Sequence, residues 1–219
     1  ARCNNEIRQL LDDVTLSGLT ISNGIILDLN SRTINTQGST ITISSSATIK
    51  NGTITGNSAY SPVVRLQGKV TVYMSEVNIE SSGQSALQVG SSFVSTKTSL
   101  NADKCTIKYT GDSATGQNGA LNICTGSIGS VTFDSCEVST TGTGSSFALK
   151  IDNVSYGQDE DAVISFSDST ISASSAVAIN ITNVGDKAEI ILGSGNKVSG
   201  DVNVSASGKS ALGITGGYY

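Results

Sequence analysis

Ala120-Leu121-Asn122-Ile123 is one of five versions of a single phrase. Ala86-Leu87-Gln88-Val89, Ala148-Leu149-Lys150-Ile151, Ala178-Ile179-Asn180-Ile181 and Ala211-Leu212-Gly213-Ile214 repeat its order of small, apolar, variable and apolar residues. Successive versions lie about 30 residues apart, and the interval wanders as it does when loops of different length are set into a fixed unit. A constant strand with variable loops is the signature of a solenoid, in which each repeat packs on its neighbours.

A second phrase accompanies the first, an apolar-x-apolar strand followed by a small residue two places before another apolar one. It reads Val70-Thr71-Val72 with Ser75-Glu76-Val77, Val131-Thr132-Phe133 with Cys136-Glu137-Val138, and Ile164-Ser165-Phe166 with Ser169-Thr170-Ile171. Looser copies are Leu100 with Cys105-Thr106-Ile107, and Ile190-Ile191-Leu192 with Asn196-Lys197-Val198. Each period therefore holds about three short strands, and three strands per turn that pair one period away make a parallel β-helix. Inward Leu, Val and Ile then stack about 4.8 Å apart in apolar ladders, while Thr, Ser, Asn and Lys face water.

The expectation is an all-β, single-domain parallel β-helix over residues 14–219, with about 7–9 coils. No 3.6-residue period is sustained beyond Leu11, which argues against a helical bundle, and a β-sandwich would not explain a phrase recurring at the same place in each unit. From Val14 to Ile54 the apolar pairs follow closely, so the early coils carry few loops, and Lys50-Asn51-Gly52-Thr53 is a tight-turn signal. Residues 1–13 are the exception. Ile7, Leu10 and Leu11 fall on one helical face with Asn4 or Asn5 as N-cap, so this segment is predicted to be a short helix covering the open end of the stack.

Composition narrows the function. With 24 Gly, one Pro and no Trp, the chain favours strands and turns. A net charge of −5 and 13 scattered Lys and Arg residues argue against a nucleic-acid partner. The sequence has no apolar run of about 18 residues, so no membrane insertion is expected. An opening at Ala1 without Met fits a processed, exported protein, and the expected setting is secreted or cell-surface.

Thr20-Ile21-Ser22-Asn23-Gly24-Ile25-Ile26-Leu27-Asp28-Leu29-Asn30 and Ala47-Thr48-Ile49-Lys50-Asn51-Gly52-Thr53-Ile54-Thr55-Gly56 resemble the opening coils of right-handed parallel β-helix proteins of the pectate-lyase-like superfamily. In particular they are similar to the non-catalytic β-helix regions of bacterial cell-surface proteins. The resemblance implies a fold and an exported setting more than an activity. For a polysaccharide lyase it would imply acidic residues holding calcium and an Arg or Lys that abstracts a proton. Arg2 and Arg8 fall in the expected cap, and Arg32 and Arg65 have no carboxylate neighbours in the recurring strands. Hydrolysis of the polygalacturonase kind would need adjacent carboxylates and usually a His, and the chain has none.

No catalytic residue, cofactor or metal ligand is therefore assigned. Cys3, Cys105, Cys124 and Cys136 form no C-x-x-C pair, which with no His argues against zinc. The acidic run Gln158-Asp159-Glu160-Asp161 reads as a solvated loop. Thr40-Ile41-Thr42 and Thr53-Ile54-Thr55 do not recur in later coils as an ice-binding array would. Tyr60, Tyr73, Tyr109 and Tyr156 are a thin supply of platforms for a surface glycan, and Tyr73 and Tyr109 read as near interior columns. The sequons at Asn51, Asn153, Asn180 and Asn203 read as chance in so polar a chain.

Cys105 and Cys136 are placed in one small-residue column with Ser75 and Ser169. Two readings stay open, a disulfide between adjacent coils and a buried thiol pair. Cys3 and Cys124 are expected not to meet within one subunit and are candidates for an intersubunit bond. Tyr218 and Tyr219 end an uncapped C-terminal strand that another copy could cover. The expected function is thus a non-enzymatic structural protein: a filament subunit, stalk or adhesive surface module that self-associates, with head-to-tail assembly as one form. The alternative is a carbohydrate-active enzyme or glycan-binding module.

Overall fold

The computed structural model describes residues 6–22, 24–90, 97–112, 118–126, 128–154, 161–205, 211–214 and 217–218. Among them there is no helix, and every strand pairing is parallel. The first three strands are β1 (Glu6–Gln9), β2 (Val14–Thr15) and β3 (Leu19–Ile21). The chain then returns to pair β4 (Ile25–Asp28) on β1, Thr33–Asn35 on β2 and Ile41–Ile43 on β3. The same three-step course repeats to the C-terminal strands, so three ladders, here called walls A, B and C, run along one solenoid.

The register explains why these residues form strands. On wall B the inward column is Val14, Ile34, Ile54, Ile79, Ile107, Val138, Ile171 and Val198. β-branched side chains fit a pleated surface packed on both sides, and from Ile34 to Ile171 each is buried. Wall C carries two inward columns that start at Leu19 and Ile21 and pass through Leu87 and Val89, Leu121 and Ile123, and Leu149 and Ile151 to Val202 and Val204. On wall A the rings of Phe133 and Phe166 stack with centroids 4.8 Å apart and planes 7° apart, which matches the rise from coil to coil.

The corner between walls A and B has its own rule. It is turned by one residue at positive φ in coil after coil: Asn51, Glu76, Lys104, Ser135, Asp168 and Gly195. Only a single left-handed residue is needed there, so the ladders can resume at once. Strand Ala47–Gly56 and strand Val70–Ser81 each run from wall A into wall B through such a residue.

Three expectations need correction. Residues 6–9 are a strand, not part of a capping helix. Pairing with β4 gives the backbone partners that a helix of fewer than about 12 residues supplies poorly in water, and Ile7 and Leu11 remain 66% and 76% exposed instead of forming a buried face. Asn4 and Asn5, the expected caps, lie outside the described residues. Second, Ala211–Ile214 is not the fifth copy of the Ala120 phrase. It pairs with strand Ala188–Leu192 on wall A, and the wall C rung above Ile179 and Ile181 is Val202-Asn203-Val204. Third, Ser75 pairs with Asp103, one step before the corner, so the residue of that coil in the cysteine column is Val77 and not Ser75.

Candidate functional site

The residue after each left-handed corner turns inward, which stacks Gly52, Val77, Cys105, Cys136, Ser169 and Asn196 in one column. From Cys105 onward its members solve a shared problem, because the corner N–H points along the solenoid axis and needs an acceptor from the next coil. The Cys136 N–H donates to Ser169 Oγ at 3.0 Å, and the Ser169 N–H to Asn196 Oδ1 at 2.9 Å. The Cys105 N–H points at Cys136 Sγ at 3.4 Å. Asn196 completes the column by donating Nδ2 to the carbonyls of Phe166 (2.7 Å) and Gly193 (2.9 Å).

Cys105 and Cys136 are buried free thiols in successive coils. Each thiol also reaches a wall A carbonyl, Asp103 O for Cys105 at 3.3 Å and Asp134 O for Cys136 at 3.2 Å. Contact with the Cys105 thiol, then burial, pushes the Cys136 thiol well up. The same contact works the other way on Cys105, lowering its thiol against the burial that would raise it, so it is Cys136 that holds its proton most firmly. Cys124 is half-buried and in register with Asp152 on wall C. Tyr218 lies in a short wall B strand paired with Asn196–Lys197. Cys3 and Tyr219 lie outside the described residues, and among the described members of the expected set Cys105 and Cys136 are brought together.

On the outer side of the same corner is an open cleft lined by Asp28, Asn30, Asn51, Thr53, Glu76 and Asn78. Burial works to raise the Asp28 carboxyl, but the Asn30 N–H (2.9 Å), the Asn51 amide (3.2 Å) and Lys50 (3.2 Å) outweigh it and hold the group below its ordinary value. The Asn51 side chain is thus occupied as a corner brace. The Gln158–Glu160 part of the acidic run and Tyr156 lie outside the described residues. Among the described residues no three His, Cys, Asp or Glu side chains are grouped so as to hold a metal ion.

The outer faces are polar and irregular. Outward positions of wall C read Thr20, Thr42, Arg65, Gln88, Asn122, Lys150, Asn180 and Asn203. Lys150 is 8% exposed, 3.6 Å from the Asp152 carboxylate and 5.8 Å from the centre of the Phe147 ring. The two tyrosines placed near interior columns separate. Tyr109 is fully buried and donates its hydroxyl to Gly83 O at 3.0 Å, whereas Tyr73 points out from wall A and is 53% exposed. Alternation parity separates them: Met74 takes the inward place beside Tyr73.

No protein-family model matches the chain, and no curated protein or solved structure matches it. The kinship suggested by Thr20–Asn30 and Ala47–Gly56 accordingly stands as a likeness of pattern, carried now by an all-β chain with a long parallel sheet.

Proposed function

We propose that this chain is a non-enzymatic structural protein, an exported right-handed β-helix of about 7–9 coils that serves as a stalk or adhesive module at a cell surface. The observation that carries the reading is the contrast across wall C. Its inward columns hold only Leu, Ile and Val, while its outward positions mix hydroxyl, cationic and amide side chains with no one residue kept throughout. A scaffold needs its inside to repeat and leaves its outside free. Turnover assays on pectin, alginate and host glycans are expected to show no reaction, and turnover that persists through purification would overturn the proposal.

Head-to-tail growth into a filament is the less favoured form of this reading. In β1 the inward register of wall A is held by Glu6 and Arg8, ion-paired at 2.8 Å over Ile25 and Leu27. Stacking a second copy on that face would take both charges into the interior, and charges pointing inward are a known means of blocking edge pairing. Light scattering and electron microscopy over a range of concentrations are expected to give monomers, and long fibres would refute this part. A glycan-binding role is the second reading. Tyr73 favours it, since its exposed ring stands in register between Thr48 and Asn101, an apolar face beside a hydroxyl and an amide. Chemical-shift titration with oligosaccharides, lost in Tyr73→Ala, would support it.

A further inference from the structure

The corner column contains a choice that hydrogen bonding does not explain. Where Ser169 and Asn196 stand, the preceding corner N–H meets an oxygen at 3.0 and 2.9 Å. Where Cys136 stands, it meets a sulfur at 3.4 Å, and sulfur is a weak acceptor. Ser in that place would satisfy the Cys105 N–H better, at nearly the same volume. Packing alone is equally poor as an explanation, because Val77 in the coil before shows that the column also admits a larger apolar side chain.

Two successive sulfurs do have one property that Ser, Asn and Val lack. Parallel neighbours in adjacent coils lie about 4.8 Å apart, inside the Cα range of a disulfide. The register is fixed on both sides of the pair. Thr106 pairs with Glu137 immediately after it, Asp103 pairs with Asp134 shortly before it, and the Glu137 N–H donates to Cys105 O at 2.8 Å. Both side chains turn into the same interior column.

We propose that Cys105 and Cys136 are an oxidation site, joined by a disulfide that staples one coil to the next. The inference goes beyond the scaffold reading and does not depend on what the outer faces bind. In the reaction a thiolate of one cysteine attacks a small-molecule disulfide such as oxidised glutathione, giving a mixed disulfide and one free small thiol. The second cysteine then displaces the other small thiol. Two protein thiols lose two protons and two electrons, and the small disulfide is reduced to two thiols. Cys105 and Cys136 are only 2% and 3% exposed, so the exchange takes place while the corner is open, during folding. Once the coils close, the same burial shields the bond from reductants.

The test is refolding from denaturant with reduced and oxidised glutathione, followed by peptide mapping without reduction. The expected product links the peptide of Cys105 to that of Cys136. Both cysteines found free, or either one linked to Cys3 or Cys124, would overturn the proposal. A second measurement compares melting of the protein refolded with and without oxidant. The bond closes a loop of roughly 30 residues, and a rise of roughly 5–15 °C is expected. In Cys105→Ser and Cys136→Ser that difference should vanish, since serine fits this column, as Ser169 shows. A difference that survives in either variant would assign the effect to another pair and sink the idea.

Discussion

Replacing Asn196 by Ala removes three hydrogen bonds from a side chain that is 4% exposed. Their weights differ. The Phe166 carbonyl keeps the Gly193 N–H at 2.8 Å, so losing the Asn196 amide costs it little. The Ser169 N–H has no such reserve: Asn196 Oδ1 is its acceptor, and a buried donor left without one costs about 1–3 kcal/mol. The amide's bond to Gly193 O adds about 1 kcal/mol. The expected loss is therefore about 2–4 kcal/mol, or about 5–15 °C in melting temperature for a chain of this size. Thermal and urea unfolding followed by circular dichroism would measure it. Asn196→Asp sharpens the test, because a carboxylate still accepts from the Ser169 N–H but faces two carbonyls instead of donating to them. Its pKa should rise in the folded state, so the variant should be less stable than Ala at neutral pH. It should recover as pH falls through that raised pKa, when the carboxyl can donate again. A loss below about 0.5 kcal/mol in Asn196→Ala, or an Asp variant as stable as the parent at pH 7, would refute the claim that the column is held by these bonds.

Three further outcomes are expected. Gly52→Ala should destabilise by about 1–3 kcal/mol, because a Cβ there would stand 2.4 Å from Leu29 Cβ and 2.7 Å from Arg32 O, and urea midpoints equal to the parent's would contradict it. Glu76→Gly should be neutral or stabilising by up to about 1 kcal/mol, since Glu76 sits at φ 56° and glycine removes the left-handed strain while adding chain entropy; a clear loss in melting temperature would count against it. Asp28 is held below its ordinary pKa, so its stabilising share is present above the unfolded value of about 3.9 and is lost as pH falls through the lower folded value. Asp28→Asn should therefore flatten the acid limb of a stability profile, and an unchanged limb would show that the contacts with Asn30, Asn51 and Lys50 do not couple to folding.

The inside of this protein was legible in its sequence because apolar ladders repeat, and the places where reading went astray are those where repetition misleads. Ala211-Leu212-Gly213-Ile214 matches the Ala120 phrase in letters yet lies on wall A, since both walls ask for the same apolar alternation. Ser75 and Val77 resemble Cys136 and Val138 in spacing, but the left-handed Glu76 moves the corner, and the wall B counterpart of Val138 is Ile79, reached through Ile107. Ile7, Leu10 and Leu11 satisfy a helical period, but so short a segment is decided by the pairing edge that β4 offers. The corner column itself carried a signal. Cys105, Cys136 and Ser169 each immediately precede a wall B strand and Asn196 opens one, and all but Asn196 are small, so size hid the polar ladder that joins them.

The same degeneracy bears on what specifies the fold. A column of Leu, Ile and Val accepts its neighbour at almost any rung, so hydrophobic burial drives the stack without fixing which coil lies on which. Directional contacts between successive coils remove that freedom. The Cys136–Ser169–Asn196 ladder permits one partner per rung, as do Asn101 with Thr132 at 3.0 Å, Asp134 with Ser167 at 2.9 Å, and Asp152 with Thr182 at 2.9 Å. The Phe133–Phe166 stack adds an aromatic pair that only this alignment forms. Early coils are tied in the same way, Thr33 N–H to Asp13 at 2.7 Å and Asn51 to Asp28 at 3.2 Å. Uniform apolar columns thus supply the stability, and a handful of polar pairs, several of them on the outward faces, supply the register.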